Sequence, residues 1–199
     1  MKAPYNQAPR VMPPAGTFIA RVVRIIYIGT VKTINTFQGG IEQETPKIHI
    51  TWELPTEKHV FKEGEPEKPF LVSREFTHSM GKKSTLRPIT EAILGVSLTD
   101  EEAYAFDHDE LLGLSCQVTI IHDEKESGTW EKVNSVSALL KGVVCPPPVN
   151  DMYVLSYEKW NEELFQKLPP FLKKKMEGSK EYKAMRGIKS EISTDDIPF

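Results

Sequence analysis

Trp52 lies beside Lys47 and His49, Trp130 stands two residues from Lys132, and Arg74 and Phe76 are followed closely by Lys82, Lys83 and Arg87. Phe37 keeps company with Lys32 in a polar, glycine-bearing stretch, where an aromatic ring has little reason to be buried. Aromatic rings alternating with cations are what a single nucleic-acid strand requires, because bases stack on flat π-faces while Lys and Arg meet phosphates. These residues are the candidate DNA contacts. For Trp52 and Phe76 a place in the hydrophobic core is the stronger reading, and for Trp130 the two readings balance.

Groups capable of covalent or metal chemistry do not assemble into a motif. The chain has no GxxxxGK[ST] phosphate loop, no GxGxxG, no GxSxG and no HExxH. His49, His59, His78, His108 and His122 are scattered, and Cys116 and Cys145 form no CxxC pair. A zinc site from Cys116, Cys145 and His122 is imaginable, but buried free cysteines are the usual outcome. Asp107, Asp109 and Glu110 could hold a divalent ion as nuclease acids do; acids also favour the solvated first turn of a helix. The expectation is a non-enzymatic chain with no metal and no cofactor.

Net charge is −3, which taken alone argues against phosphate binding. Part of that charge is confined to the end of the chain, where Glu191, Asp195 and Asp196 face Lys189 alone. The longest apolar-rich stretch, Phe18 to Ile28, is interrupted by Arg21 and Arg24, and no secretory or membrane-spanning segment is evident. A reducing cytoplasm is the expected location.

The elements that must position these side chains follow from periodicity. Residues 1–15 hold four prolines and read as an extended arm. TFIARVVRIIYIGT is apolar on both faces, as suits a first strand that bends and serves two sheets. Residues 31–45 read as a loop, and PKIHITWEL alternates cleanly, with Ile48, Ile50, Trp52 and Leu54 opposing Lys47, His49, Thr51 and Glu53. A second loop over 55–69 leads to the strand FLVSREFTH. Leu86, Ile89, Ile93 and Leu94 then mark a helical face with Ser84 as N-cap and Gly95 beyond its end. Thr99 and Glu102 form a capping box for a short helix, and LSCQVTIIH with TWEKVNSVSAL forms a hairpin. Residues 156–186 are helical and amphipathic, with Trp160, Leu164, Phe165, Leu168, Phe171, Leu172 and Met176 apolar, and Pro169-Pro170 divides them. Lys173 to Lys175 could add phosphate contacts there. The apolar stripe packs on the body, caps a groove or supports a homo-oligomer.

Three strands, a helix and two strands is the order of an OB-fold, a five-stranded Greek-key barrel with an oligonucleotide-binding face. The expected class is therefore mainly β. An OB-like DNA-binding domain spans 16–145, a helical appendage 150–187 and a disordered acidic tail 188–199.

The chain ends STDDIPF. Its last apolar side chains can fill a pocket while the carboxylates meet a basic rim. Asp195, Asp196, Ile197, Pro198 and Phe199 resemble the acidic tip of bacterial single-stranded DNA-binding proteins. The resemblance implies recruitment of replication or repair enzymes, such as a polymerase, primase, helicase or exonuclease. The stretches PAGTFIARVVRIIYIGT, ITWELP, REFTHSMGKKSTLRPITEAILG, FDHDELLGLSCQVTIIH and KGVVCPPPVN, from about residue 14 to 150, resemble a group of phage-encoded proteins, some called single-stranded DNA-binding. That likeness implies a role in phage replication or recombination in the host cytoplasm. Two rivals stay open: an adaptor that presents the tail to a host factor without touching DNA, and a metal-dependent nuclease or its accessory subunit using Asp107 to Glu110.

Overall fold

The computed structural model describes residues 11–35, 39–126 and 128–187. Phe37, most of the proline-rich arm and the DDIPF tip lie outside the described residues. The chain is mainly β: six strands share one sheet, with a few short helices beside it. The strands are β1 (Gly16–Asn35), β2 (Ile41–His59), β3 (Lys68–Thr77), β4 (Ser115–Lys125), β5 (Gly128–Ala138) and β6 (Tyr153–Leu155). The antiparallel path runs β3-β2-β1-β4-β5, and β6 adds in parallel beside Arg24–Ile26 of β1. Among the described residues no backbone ladder joins β3 to β5. Arg74 bridges them instead, its Nη1 donating to the carbonyls of Val133 (3.3 Å) and Asn134 (3.4 Å).

β1 organises the sheet. Its first residues pair with β4, and from Arg21 onward it pairs with β2. Register shifts fall between Val22 and Arg24 and between Tyr27 and Gly29. Such bulges bend a strand and re-aim its side chains. The double-sided apolar pattern has a direct cause. Ala20, Val22 and Ile25 join Ile48, Ile50, Trp52, Leu54, Val72 and Phe76 in the main core. Ile26 and Ile28 belong to a second core with Leu155, Phe165, Leu168, Leu172 and Met176.

Residues 31–45 are not a loop: β1 and β2 continue as a paired ribbon out to Asn35 and Ile41. A two-stranded ribbon without a buried face has no apolar alternation to betray it. β2 likewise extends to His59.

α1 (Leu86–Leu94) buries Leu86, Ile89 and Ile93 and ends at Gly95, whose φ of 72° is the left-handed conformation that Gly adopts without strain. Ser84 accepts from Leu86 N–H at 3.0 Å although Thr85 is the capping position. α2 (Asp100–Ala105) opens on the Thr99–Glu102 capping box, and a 3-10 turn (His108–Leu111) leads into β4.

The segment after residue 150 contains a strand as well as helices. β6 is followed by α3 (Glu162–Lys167), α4 (Pro170–Glu177) and α5 (Lys180–Met185). Pro169-Pro170 breaks the chain between α3 and α4, and Ser179 caps α5 by accepting from Tyr182 N–H. The seven buried apolar residues of the second core each contribute roughly 1.5–3 kcal/mol. That holds the segment firmly on β1. No described helix is long and apolar enough to cross a membrane.

Candidate nucleic-acid interface

β2 sets the expected binding face. Ile48, Ile50, Trp52 and Leu54 point into the core, so Lys47, His49, Thr51 and Glu53 must point outward. The outward row is nevertheless buried from His49 to Glu53. What covers it is the chain's own C-terminal part. Glu53, with 0 % exposure, accepts from the backbone N–H groups of Val149 (3.0 Å) and Asn150 (2.7 Å) and from the Asn150 side-chain amide (2.7 Å). Beside it, Arg21 donates to the carbonyls of Gly113, Cys145 and Pro146. One turn of the sheet further on, the His49 ring lies 6.3 Å from that of Phe171 on α4, and Lys175 pairs with Glu75 on β3. Burial pushes the His49 imidazole down to about 4; Glu75 opposes that shift and Lys175 adds to it.

The expected DNA contacts therefore separate into groups. Trp52 and Phe76 meet edge to face at 6.5 Å inside the core and have no free π-face for a base. His49 is closed off by α4. Arg74 sits over the Phe76 ring at 5.0 Å and is engaged at the β3–β5 seam. Arg87 is consumed by Glu91 (3.1 Å), Asp100 (2.7 Å) and the Leu98 carbonyl, which ties α1 to α2. Lys82 shares Asp100 at 3.0 Å, and Lys83 is exposed. Lys32 forms a rung of the ribbon with Glu42 at 3.2 Å. Lys47 donates to the Thr77 hydroxyl at 3.3 Å. Trp130 (39 % exposed) and exposed Lys132 share one face of β5, as their spacing implies.

A cleft of about 410 Å³ opens where β1, β2, the 3-10 turn and the residues after β6 meet. Tyr27 donates to Asp109 Oδ1 at 3.0 Å, and Lys159 Nζ lies 2.7 Å from Asp109 Oδ2. Burial, then the negative charge of Asp109, drives the Tyr27 phenol far above its ordinary range. Asp109 is thus doubly satisfied and pins three segments together. His78 lies 5.2 Å from Tyr27 and 5.1 Å from His108, and burial lowers the proton affinity of both imidazoles, that of His108 to about 4. The acids expected of a nuclease do not converge. Asp107 caps the 3-10 turn by accepting from Asp109 N–H, and among the described residues no group of three or more His, Cys, Asp or Glu could hold a metal. Cys116 and Cys145 are buried and free.

Sequence reasoning missed the Tyr27–Asp109–Lys159 chain, because 82 and 50 positions separate its members and no local pattern links them. It also placed Phe171 on the apolar stripe. The ring is 56 % exposed, whereas Leu172 and Met176 are buried. The signal was present: Phe171 shares its helical face with Lys174 and Lys175 at i+3 and i+4, opposite the Leu172–Met176 pair.

No protein-family model matches this sequence, and no curated protein is matched by it.

Proposed function

We propose that this chain binds single-stranded DNA without sequence preference on an OB-like body, and that its DDIPF tip recruits replication or recombination enzymes. The observation that carries the reading is connectivity. β1 is shared between β2 and β4, α1 lies between β3 and β4, and Arg74 links the strands at the two ends of the path. That order is compatible with the Greek-key barrel common among oligonucleotide-binding modules, although the sheet is open between β3 and β5, where Arg74 makes side-chain contacts in place of a ladder. Hairpin tips are the usual flanks of such a face. Here β1–β2 offers exposed Ile34 and Ile41 with Lys32, and β4–β5 offers Trp130 with Lys132.

The covered row His49–Glu53 favours a second reading, in which the body only presents its tail to a host factor. A gel shift with an oligothymidine, run on the full chain and on a chain lacking residues 195–199, separates the two. Binding by both forms, with loss of enzyme recruitment in the shorter one alone, supports the first reading. Recruitment with no shift in either form leaves the adaptor.

A further inference from the structure

We propose that the nucleic-acid contact surface is the helical cover itself, built on α4 and its neighbours, rather than the outer face of β2. This inference rests on the single-strand reading above. Residues 167–187 carry Lys167, Lys173, Lys174, Lys175, Lys180, Lys183 and Arg186 against only Glu177 and Glu181, in a chain whose net charge is −3. Seven cations against two carboxylates give this segment a local positive excess that the chain as a whole lacks. Some are engaged: Lys175 with Glu75, Lys180 with Glu44 and Arg186 with Glu162. Lys167, Lys174 and Lys183 have no carboxylate partner among the described residues.

An aromatic ring stands in the same place. Phe171 keeps more than half of its surface in solvent while one side rests near His49 on β2. It shares a helical face with Lys174 and Lys175, and Lys175 neutralises Glu75 on β3 beneath. A ring available for stacking, with the ammonium group of Lys174, unpaired among the described residues, one turn away, is the minimal unit for holding a base and its phosphate. Displacing the cover to expose β2 would forfeit the second core, and the Glu53 end of the same row is closed separately by Val149 and Asn150. A ligand of this face must therefore meet the cover, and the charge of the cover selects a polyanion. Duplex DNA keeps its bases stacked, so an exposed ring favours the single strand.

The test uses the full chain and a labelled oligothymidine. In one variant Lys167, Lys174 and Lys183 become Glu; in a control of equal charge, Lys58, Lys62 and Lys68 on the β2–β3 hairpin become Glu. All six lie outside both cores. The first variant loses at least about ten-fold in affinity at low salt and its salt slope falls by about 2, while the control loses far less. Phe171→Ala weakens binding by about five-fold or more, and Phe171→Trp adds fluorescence that the oligonucleotide quenches. Equal losses in both charge variants, or no loss in either with an unquenched Trp at 171, overturn this inference while leaving single-strand binding intact. A wild-type chain that fails to bind the oligonucleotide overturns the underlying reading instead.

Discussion

Glu53 on β2 and Asn150, ninety-seven residues later, are joined by two hydrogen bonds of 2.7 Å, one from the Asn150 backbone and one from its side chain. With the Val149 N–H also engaged, a fully buried carboxylate anchors the stretch that leads into β6. Glu53→Ala leaves three donors without their acceptor and is expected to cost roughly 3 kcal/mol, since bonds to a charged group contribute more than neutral ones. Glu53→Gln retains an acceptor and costs less. Denaturant unfolding measures the difference. Limited proteolysis locates it: cleavage near residues 146–150 should rise in the Ala variant first.

Gly29 on β1 lies directly against Ser179 and Glu181 at the start of α5. Its φ is 89°, and a Cβ there would lie 2.5 Å from the Glu181 carboxylate and 3.0 Å from Ser179. Glu181 also holds Thr30 through its backbone N–H (2.6 Å) and its hydroxyl (2.7 Å). Gly29→Ala combines a strained backbone with displacement of that carboxylate, and a loss of about 1–3 kcal/mol is expected. Thermal unfolding checks it. An unchanged midpoint would mean that α5 is not seated on β1 as described.

Stability should fall on mild acidification. His49 and His108 are pushed down to about 4, chiefly by burial. Around His108, His78 lowers the proton affinity further while Asp107 and Asp109 raise it. A depressed imidazole stays neutral in the folded chain while the unfolded chain takes up its proton below about pH 6.5. The stabilisation is therefore complete above that pH and is lost as pH falls towards 4, by roughly 2–3 kcal/mol per ring. Unfolding free energies between pH 7 and 5 should slope downward with acid, and the slope should flatten in His49→Gln whatever that variant does to absolute stability.

The two central tryptophans should behave in opposite ways. Trp52 fills the core, so Trp52→Ala costs roughly 3–5 kcal/mol of stability. Trp130 lies on the exposed face of β5. Trp130→Ala should cost clearly less stability than Trp52→Ala and weaken oligonucleotide binding by about 1–3 kcal/mol. Paired unfolding and binding measurements on both variants decide whether the ring at 130 meets bases.

What could be read from the sequence follows physical lines. Alternation around Trp52, the capping box at Thr99 and the Pro169-Pro170 break are local patterns, and each corresponds to a described element. The ribbon beyond Val31 and the three-residue β6 carry no apolar period, because backbone pairing with a partner distant in sequence defines them. The polar row His49, Thr51 and Glu53 looks solvated in sequence. Only the return of residues 146–176 across it, about a hundred positions later, buries it. That burial removes His49 from the expected interface, while Trp52 and Phe76 belong to the main core and Arg74, Arg87, Lys82 and Lys32 have partners elsewhere in the fold.

The most direct measurement is an anisotropy titration of a labelled oligothymidine, and of a duplex of equal length, at low and then moderate salt. The account predicts single-strand binding that exceeds duplex binding and weakens steadily as salt rises, reporting released counterions. No binding at low salt would contradict it and leave the body as a carrier for its tail, and equal affinity for the duplex would contradict the preference for the single strand.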